Sequence, residues 1–223
     1  MDKDEVFALM GEYYGNANYR SAIRKGWSRE DLLLTKELLD RVNALGYCIS
    51  NVHKMTEIED SRFLPIVFDT LHRYTADSFR AGLLQTVCFR SYREAVGELL
   101  KLYDEPNMQD LRWNISAALF RIRDRKMIPA LLKVVRREDY GKEPDMILEI
   151  LLKYKVEAAQ DRATDLIDKD PFWENLFLRY ASSFKGPEVA GLVRSRTEAA
   201  DPYTRQLAKK AMAKMETAVG KAE

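Results

Sequence analysis

The stretch LPIVFDTL, residues 64–71, decides the fold because its apolar pattern returns twice at the same interval. VGELLKLY follows at residues 96–103 and IPALLKVV at residues 128–135, each 32 residues after the segment before it. In all three segments the first, fourth, fifth and eighth residues are apolar or aromatic, which is the spacing of one helix face. A fixed period of this length is typical of stacked repeats, in which each unit buries its apolar face against the next.

A second apolar set follows the first in each repeat and keeps the same interval. Its members are Leu83 and Val87, then Ile115 and Leu119, then Ile147 and Leu151. Two helical faces in each repeat predict a pair of helices joined by a short turn. Glycine and proline are sparse, and no stretch alternates apolar and polar residues with β-branched enrichment. We therefore expect an all-α fold, arranged as an α-α superhelix, or solenoid, of helical hairpins.

The repeat register fades toward both ends of the chain. Within residues 1–60 it survives only at Leu32, Leu39 and Tyr47. We predict that residues 1–60 form an N-terminal helical capping region, which end repeats need for solubility. The run GNAN at residues 15–18 predicts a helix break inside this region. Residues 61–223 are expected to form the repeat stack, with about five helix pairs.

Short motifs within residues 61–217 resemble HEAT-type repeats. The run MIPALL at residues 127–132 resembles the start of the first helix of a HEAT unit. Asp104, then Arg112, then the small pair at residues 117–118 resemble the turn aspartate, the arginine and the small-residue face of such a unit. The resemblance implies a HEAT-like stack and, since the family consists mostly of scaffolds and adaptors, favours a non-enzymatic role. We nominate no catalytic residue.

The arginine of this motif recurs, although not in every repeat. Arg80 lies 32 residues before Arg112, and DPYTR at residues 201–205 repeats the motif near the end. Pro144 and Glu174 stand at the corresponding places of two other repeats, so the ladder of arginines is interrupted. These arginines either contact a ligand or bond to carboxylates and carbonyls of the turns. The resemblance favours the second role, within and between repeats.

Charge is nearly balanced, with 36 basic and 35 acidic side chains and a net charge of +1. This balance excludes the strong global field of a dedicated nucleic-acid binder. The distribution is uneven: residues 1–60 carry −3, residues 61–156 carry +4, and residues 157–223 are neutral. No apolar run is long enough to span a bilayer, so we expect no membrane partner.

Few residues suit metal or redox chemistry. His53 and His72 are the only histidines and lie outside any zinc-type spacing with cysteine. Cys48 and Cys88 sit among apolar residues, so we interpret them as buried thiols. The acidic start at residues 1–5 does not resemble a secretory signal, and together these features predict a cytoplasmic protein. We expect no metal and no cofactor.

Basic residues collect at the turns that lead from one helix pair to the next. This set, called the basic edge below, comprises Arg90, Arg93, Arg121, Arg123, Arg125, Lys126, Lys153 and Lys155. The 32-residue step aligns Arg93 with Arg125, Arg121 with Lys153, and Arg123 with Lys155. Cations suit helix C-termini, which explains the pattern without any partner. The alternative is a contact strip for an acidic protein or a nucleic-acid backbone.

Two aromatic side chains add a second candidate contact. Trp113 and Phe120 lie seven residues apart, away from the apolar stripe of their helix. They either pack between neighbouring repeats or face the concave surface, where aromatic residues are favoured as anchors.

Binding of another protein through the concave face and the basic edge is the leading function. The alternative is a DNA-binding or alkylpurine DNA glycosylase-type repair protein, which some HEAT-like proteins of this length resemble. Trp113, Asp110 and the arginines of the basic edge would then serve the site. A lyase-like or chaperone role on a cofactor-bearing protein is a third candidate.

Overall fold

All regular structure is helical in the computed structural model, which describes residues 1–184 and 186–219. The helices within these ranges are α1 (Lys3–Lys25), α2 (Arg29–Asn43), α3 (Val52–Met55), α4 (Phe63–Arg73), α5 (Asp77–Thr86), α6 (Val96–Asp104), α7 (Arg112–Ile122), α8 (Ile128–Val135), α9 (Ile147–Lys153), α10 (Ala158–Leu166), α11 (Pro171–Tyr180), α12 (Pro187–Ser195) and α13 (Pro202–Val219). Short 3₁₀ turns cover Arg93–Ala95, Pro106–Leu111, Arg125–Met127 and Ala181–Ser183. The all-α prediction is confirmed. Over the same ranges, no helix combines the length and the apolar character needed to cross a bilayer.

The chain divides into two compact units, Met1–Asp124 and Arg125–Glu223. The first unit holds α1 to α7, and the second holds α8 to α13. The boundary expected between residues 60 and 61 falls inside the first unit and stays a prediction.

The apolar residues that recur every 32 positions form the core of each unit. In the first unit the buried members are Leu64, Val67, Leu71, Leu83, Val87, Leu99, Tyr103, Ile115 and Leu119, and in the second they are Leu131, Val135, Ile147 and Leu151. The other members of the repeated set are half-buried. Complete burial of one such side chain contributes about 1.5–3 kcal/mol to folding. The repeat period therefore identifies the residues on which the packing of each unit depends.

Helix α1 differs from the sequence prediction. It runs through residues 15–18 without the expected break, and its backbone leaves helical geometry at Gly11 instead, with φ of 75°. Gly15 is helical and buried, and it lies so close to the ring of Phe7 that a β-carbon would be 2.2 Å from Cδ1. The Asn18 amide donates to the carbonyl of Ser50, which attaches this part of α1 to a distant loop.

Helix α2 lies against α4 in the opposite direction. Arg41 Nη1 bonds to Asp69 Oδ2 at 2.5 Å, and Glu37 Oε1 accepts from Arg73 Nη1 at 2.5 Å. Residue numbers thus rise along α2 as they fall along α4, which is antiparallel packing. The 32-residue register does not extend from α4 to α2, since that register requires equivalent helices to run in the same direction.

Arg80 links two successive turns of the first unit. Its guanidinium donates to the carbonyl of Thr75 at 3.1 Å and to that of Asn107 at 2.9 Å, and it contacts Asp77 at 2.9 Å. Thr75 and Asn107 are 32 residues apart, so one buried side chain joins equivalent carbonyls of neighbouring repeats. The predicted structural role of this arginine is confirmed.

The two other motif arginines also bond to turn carbonyls. Arg112 Nε donates to Tyr103 O at 3.3 Å, and Arg205 Nη1 donates to Ala199 O at 2.5 Å. Both bonds close the turn that precedes the arginine's own helix. The predicted role within a repeat is therefore confirmed for Arg112 and Arg205 as well.

Replacing Arg80 with alanine tests the link between the two turns. We expect Arg80→Ala to lower the free energy of unfolding by about 1.5–3 kcal/mol, because the hydrogen bonds from a buried charged group to two turn carbonyls are lost. The control is Arg73→Ala, whose ion pair with Glu37 is exposed and should contribute about 0–1 kcal/mol. Denaturant unfolding of both variants measures the difference. If both variants lose the same free energy of unfolding, the buried guanidinium of Arg80 stabilises the fold no more than the exposed ion pair of Arg73 does.

Candidate functional site

Helices α5 and α7 run side by side in the same direction within the first unit. Near their starts, Arg80 of α5 reaches Asn107, which lies ahead of α7. At the other ends of the two helices, Cys88 lies just beyond α5 and Arg121 lies in the last turn of α7, and the Arg121 charge acts on the Cys88 thiol. Burial raises the pKa of the Cys88 thiol to about 11, and the Arg121 guanidinium opposes that rise. The parallel arrangement brings the basic residues that follow α5 toward those at the end of α7.

Four cations of the basic edge belong to the first unit, and all four are exposed. Arg90, Arg93 and Arg121 form no ion pair with any residue in the described ranges. Between the first two, Tyr92 is buried, and its hydroxyl accepts from the backbone N–H of Asp60 at 2.6 Å. This buried anchor holds the loop while the flanking arginines stay in solvent. The three guanidinium groups are thus available to an external anion.

Arg123 has a different environment from its neighbours. It terminates α7 with φ of 53°, and its Nε donates to the carbonyl of Phe120 at 3.2 Å. Its guanidinium also lies 5.2 Å from the centroid of the half-buried Phe120 ring. A cation that bonds to the last carbonyls of a helix stabilises its C-terminus. Helix capping therefore accounts for the position of Arg123 at the end of α7.

Trp113 lies in the first turn of α7 and is 42% exposed. Arg121 lies eight residues further along the same helix, a distance of about 12 Å along the helix axis. Phe120 is nearer to Arg121 but covered by Arg123. The two predicted aromatic residues thus differ: only Trp113 is exposed, and it lies at the opposite end of α7 from Arg121 and Arg123.

The remaining members of the basic edge belong to the second unit. Arg125 and Lys126 precede α8, and Lys153 and Lys155 lie at the end of α9; all four are exposed. Arg125 lies over the ring of Tyr154, 5.3 Å from its centroid, so these two turns meet within the unit. The alignments predicted by the 32-residue step each join residues of different units and stay predictions.

Two buried carboxylates in the second unit were not identified from the sequence as candidates. Glu149 accepts from Arg179 Nη1 at 3.2 Å and from the Tyr180 hydroxyl at 2.9 Å. Asp145 accepts from the Tyr140 hydroxyl and from the backbone N–H of Ile147, both at 2.8 Å. Both carboxylates are satisfied inside the unit, which is typical of structural groups.

Metal-binding clusters are absent from the described ranges. Among residues 1–184 and 186–219, no group of three or more histidine, cysteine or acidic side chains is placed to hold a metal ion. Both cysteines are free thiols, with Cys48 exposed and Cys88 half-buried. The expectation of two buried thiols is therefore wrong for Cys48.

Comparison with known proteins gives no assignment. No family model, no curated protein and no solved structure matches this chain. The HEAT-like resemblance therefore depends on the motif residues of the chain and on the contacts they make.

The backbone strain at Lys155, a residue of the basic edge, can be measured by substitution. Its φ of 56° is left-handed, which costs an L-residue about 1–2 kcal/mol. Lys155→Gly should raise the free energy of unfolding by about 0.5–1 kcal/mol, after allowance for the greater freedom of unfolded glycine. Lys155→Ala is the matched control, because alanine loses the same charge but keeps the strain. Denaturant unfolding distinguishes them, and equal stabilisation by alanine would contradict the strain argument.

Proposed function

We propose that this protein is a non-enzymatic, HEAT-like helical-repeat scaffold that binds an acidic segment of another protein. The contact surface is the first-unit part of the basic edge formed by Arg90, Arg93 and Arg121. Exposed guanidinium groups without internal carboxylates favour association with anions and steer the encounter.

The position of Arg93 carries this proposal. A cation near the C-terminus of a helix is stabilised by the helix dipole. This effect explains the position of Arg121 in the last turn of α7. Arg93, however, opens the 3₁₀ turn that leads directly into α6, where the positive end of the helix dipole disfavours a cation. Arg125 and Lys126 stand at the same place before α8. A binding role accounts for cations that helix stability opposes.

An acidic protein segment suits this surface better than duplex DNA. The first unit contains 17 basic and 19 acidic side chains, a net charge of −2. Proteins that bind a duplex normally present a strongly basic face, because affinity grows with the number of phosphates neutralised. A local cluster of three arginines matches a short acidic segment instead.

The scaffold role has separate support from the packing of the first unit. Arg80 holds equivalent carbonyls of successive repeats, and α5 runs parallel to α7. Both features are expected of HEAT-like hairpins in a superhelix, and we propose that architecture for the chain. Side chains held on packed helices lose little freedom on binding, which favours affinity. The two free thiols support the further proposal of a reducing, cytoplasmic setting.

Charge reversal at Arg121 tests the proposed surface. A fluorescent poly-glutamate peptide should bind the full chain with an affinity that falls as salt rises. Arg121→Glu should weaken this binding about tenfold, because one attraction becomes a repulsion. Arg20→Glu is the control, since Arg20 is an exposed arginine of α1 in the same unit and the change in net charge is equal. Fluorescence anisotropy measures both variants.

A second arm of the experiment separates the two classes of partner. The same titration is run with a short DNA duplex, with and without alkylated bases. Tighter binding to the duplex, or release of an alkylated base, would replace the scaffold proposal with the repair alternative. Equal weakening of peptide binding by Arg20→Glu would show that the effect is one of net charge rather than of the basic edge.

A further inference from the structure

The outward face of α7 carries an aromatic residue and an arginine in one stripe. Trp113, Ala117 and Arg121 follow one another at intervals of four residues, so they lie on the same side of the helix. Ile115 and Ile122, on the opposite side, are buried, whereas Trp113 and Arg121 are exposed. The stripe therefore faces solvent within the first unit.

The stability of α7 does not account for Trp113. Tryptophan forms helices less readily than alanine, lysine or glutamate, and the helix dipole favours an acidic residue in the first turn, where α7 has none. A single exposed aromatic residue is ordinary on a protein surface, but this one is aligned with an exposed arginine. Tryptophan, tyrosine and arginine are the residues most enriched at the centres of protein interfaces. Their alignment on one exposed stripe favours a binding role for Trp113.

Ala117 separates the two long side chains of the stripe. It is half-buried and contributes only a methyl group, so a partner chain has room between Trp113 and Arg121. Phe120 borders the stripe and is covered by the guanidinium of Arg123. The two large side chains are separated by about 12 Å along the helix axis. This separation is the distance that a partner has to span.

Charge differs between the two ends of the stripe. Asp110 precedes Trp113 by three residues and is exposed, so the Trp113 end disfavours a carboxylate of the partner. At the other end, Arg121 forms no ion pair with any described residue, and the acidic residue that follows it, Asp124, is half-buried. A partner with an acidic part and an apolar part is thus oriented, with its carboxylates toward Arg121.

We propose that the acidic segment bound by this protein also carries a large apolar side chain, which packs on Trp113 while the carboxylates pair with Arg121. This inference rests on the proposed function, since Arg121 belongs to the contact surface proposed above. Like charges repel along an acidic segment and keep it extended. An extended chain advances about 3.3 Å per residue, so the 12 Å span corresponds to about four residues. The apolar residue therefore lies about four positions from the carboxylates.

Three fluorescent peptides test this spacing on the unaltered full chain. Each contains a pair of glutamates in a serine–glycine background: the first has a leucine four residues after the pair, the second has the leucine directly after it, and the third has no leucine. Fluorescence anisotropy at low salt measures their affinities. The first should bind about tenfold more tightly than the third, because its leucine reaches Trp113. The second has the same composition as the first but should bind no more tightly than the third.

Matched variants decide whether Trp113 is the apolar anchor. Trp113→Ala should weaken binding of the first peptide about tenfold and leave the third unchanged, so that the two bind equally. Leu33→Ala is the control, because Leu33 is an exposed apolar residue of α2 in the same unit and its loss should preserve the difference. Arg121→Glu should weaken all three peptides. Circular dichroism confirms that each variant is folded.

The outcomes separate this inference from the function on which it rests. Equal binding of the first and third peptides to the unaltered chain overturns the apolar anchor, and so does a preference for the first that survives Trp113→Ala. If Arg121→Glu still weakens binding in those cases, the proposed acidic partner stands without the anchor. If no peptide binds, or if Arg121→Glu changes nothing, the proposed function fails and the inference fails with it.

Discussion

The buried guanidinium of Arg80 holds helix α5 in place beside helix α7 in the first unit. The positive charge of Arg80 is removed from water, so it must be met by oxygens inside the protein. Its acceptors are the carbonyls of Thr75 and Asn107, which occupy equivalent turns 32 residues apart. This requirement holds α5 and α7 in register at their starts. At the other ends of these helices, the Arg121 charge acts on the Cys88 thiol.

The repeat period allowed most of the helices and their buried faces to be predicted. Leu83 and Ile115 are buried as their 32-residue interval requires, because periodicity reports directly on the side of a helix that avoids water. The course of α1 and the direction of α2 could not be obtained in this way. They depend on single polar contacts between distant residues, such as Asn18 with Ser50 and Arg41 with Asp69. Contacts of this kind produce no repeating pattern in the sequence.

The sequence predicted which residues are candidates for contact with a partner, but it did not predict the contacts that these residues make within the protein. Charge patterning located the basic edge, yet only the structure shows that Arg123 lies on Phe120 and Arg125 on Tyr154.

The donor and the acceptors of the Arg80 bonds also differ in how far they can change. Both acceptors are backbone carbonyls, so a new side chain at position 75 or 107 removes no acceptor. A new side chain at position 80 removes the buried donor of both bonds at once. Relatives of this chain should therefore vary at the two turn positions and retain arginine at position 80.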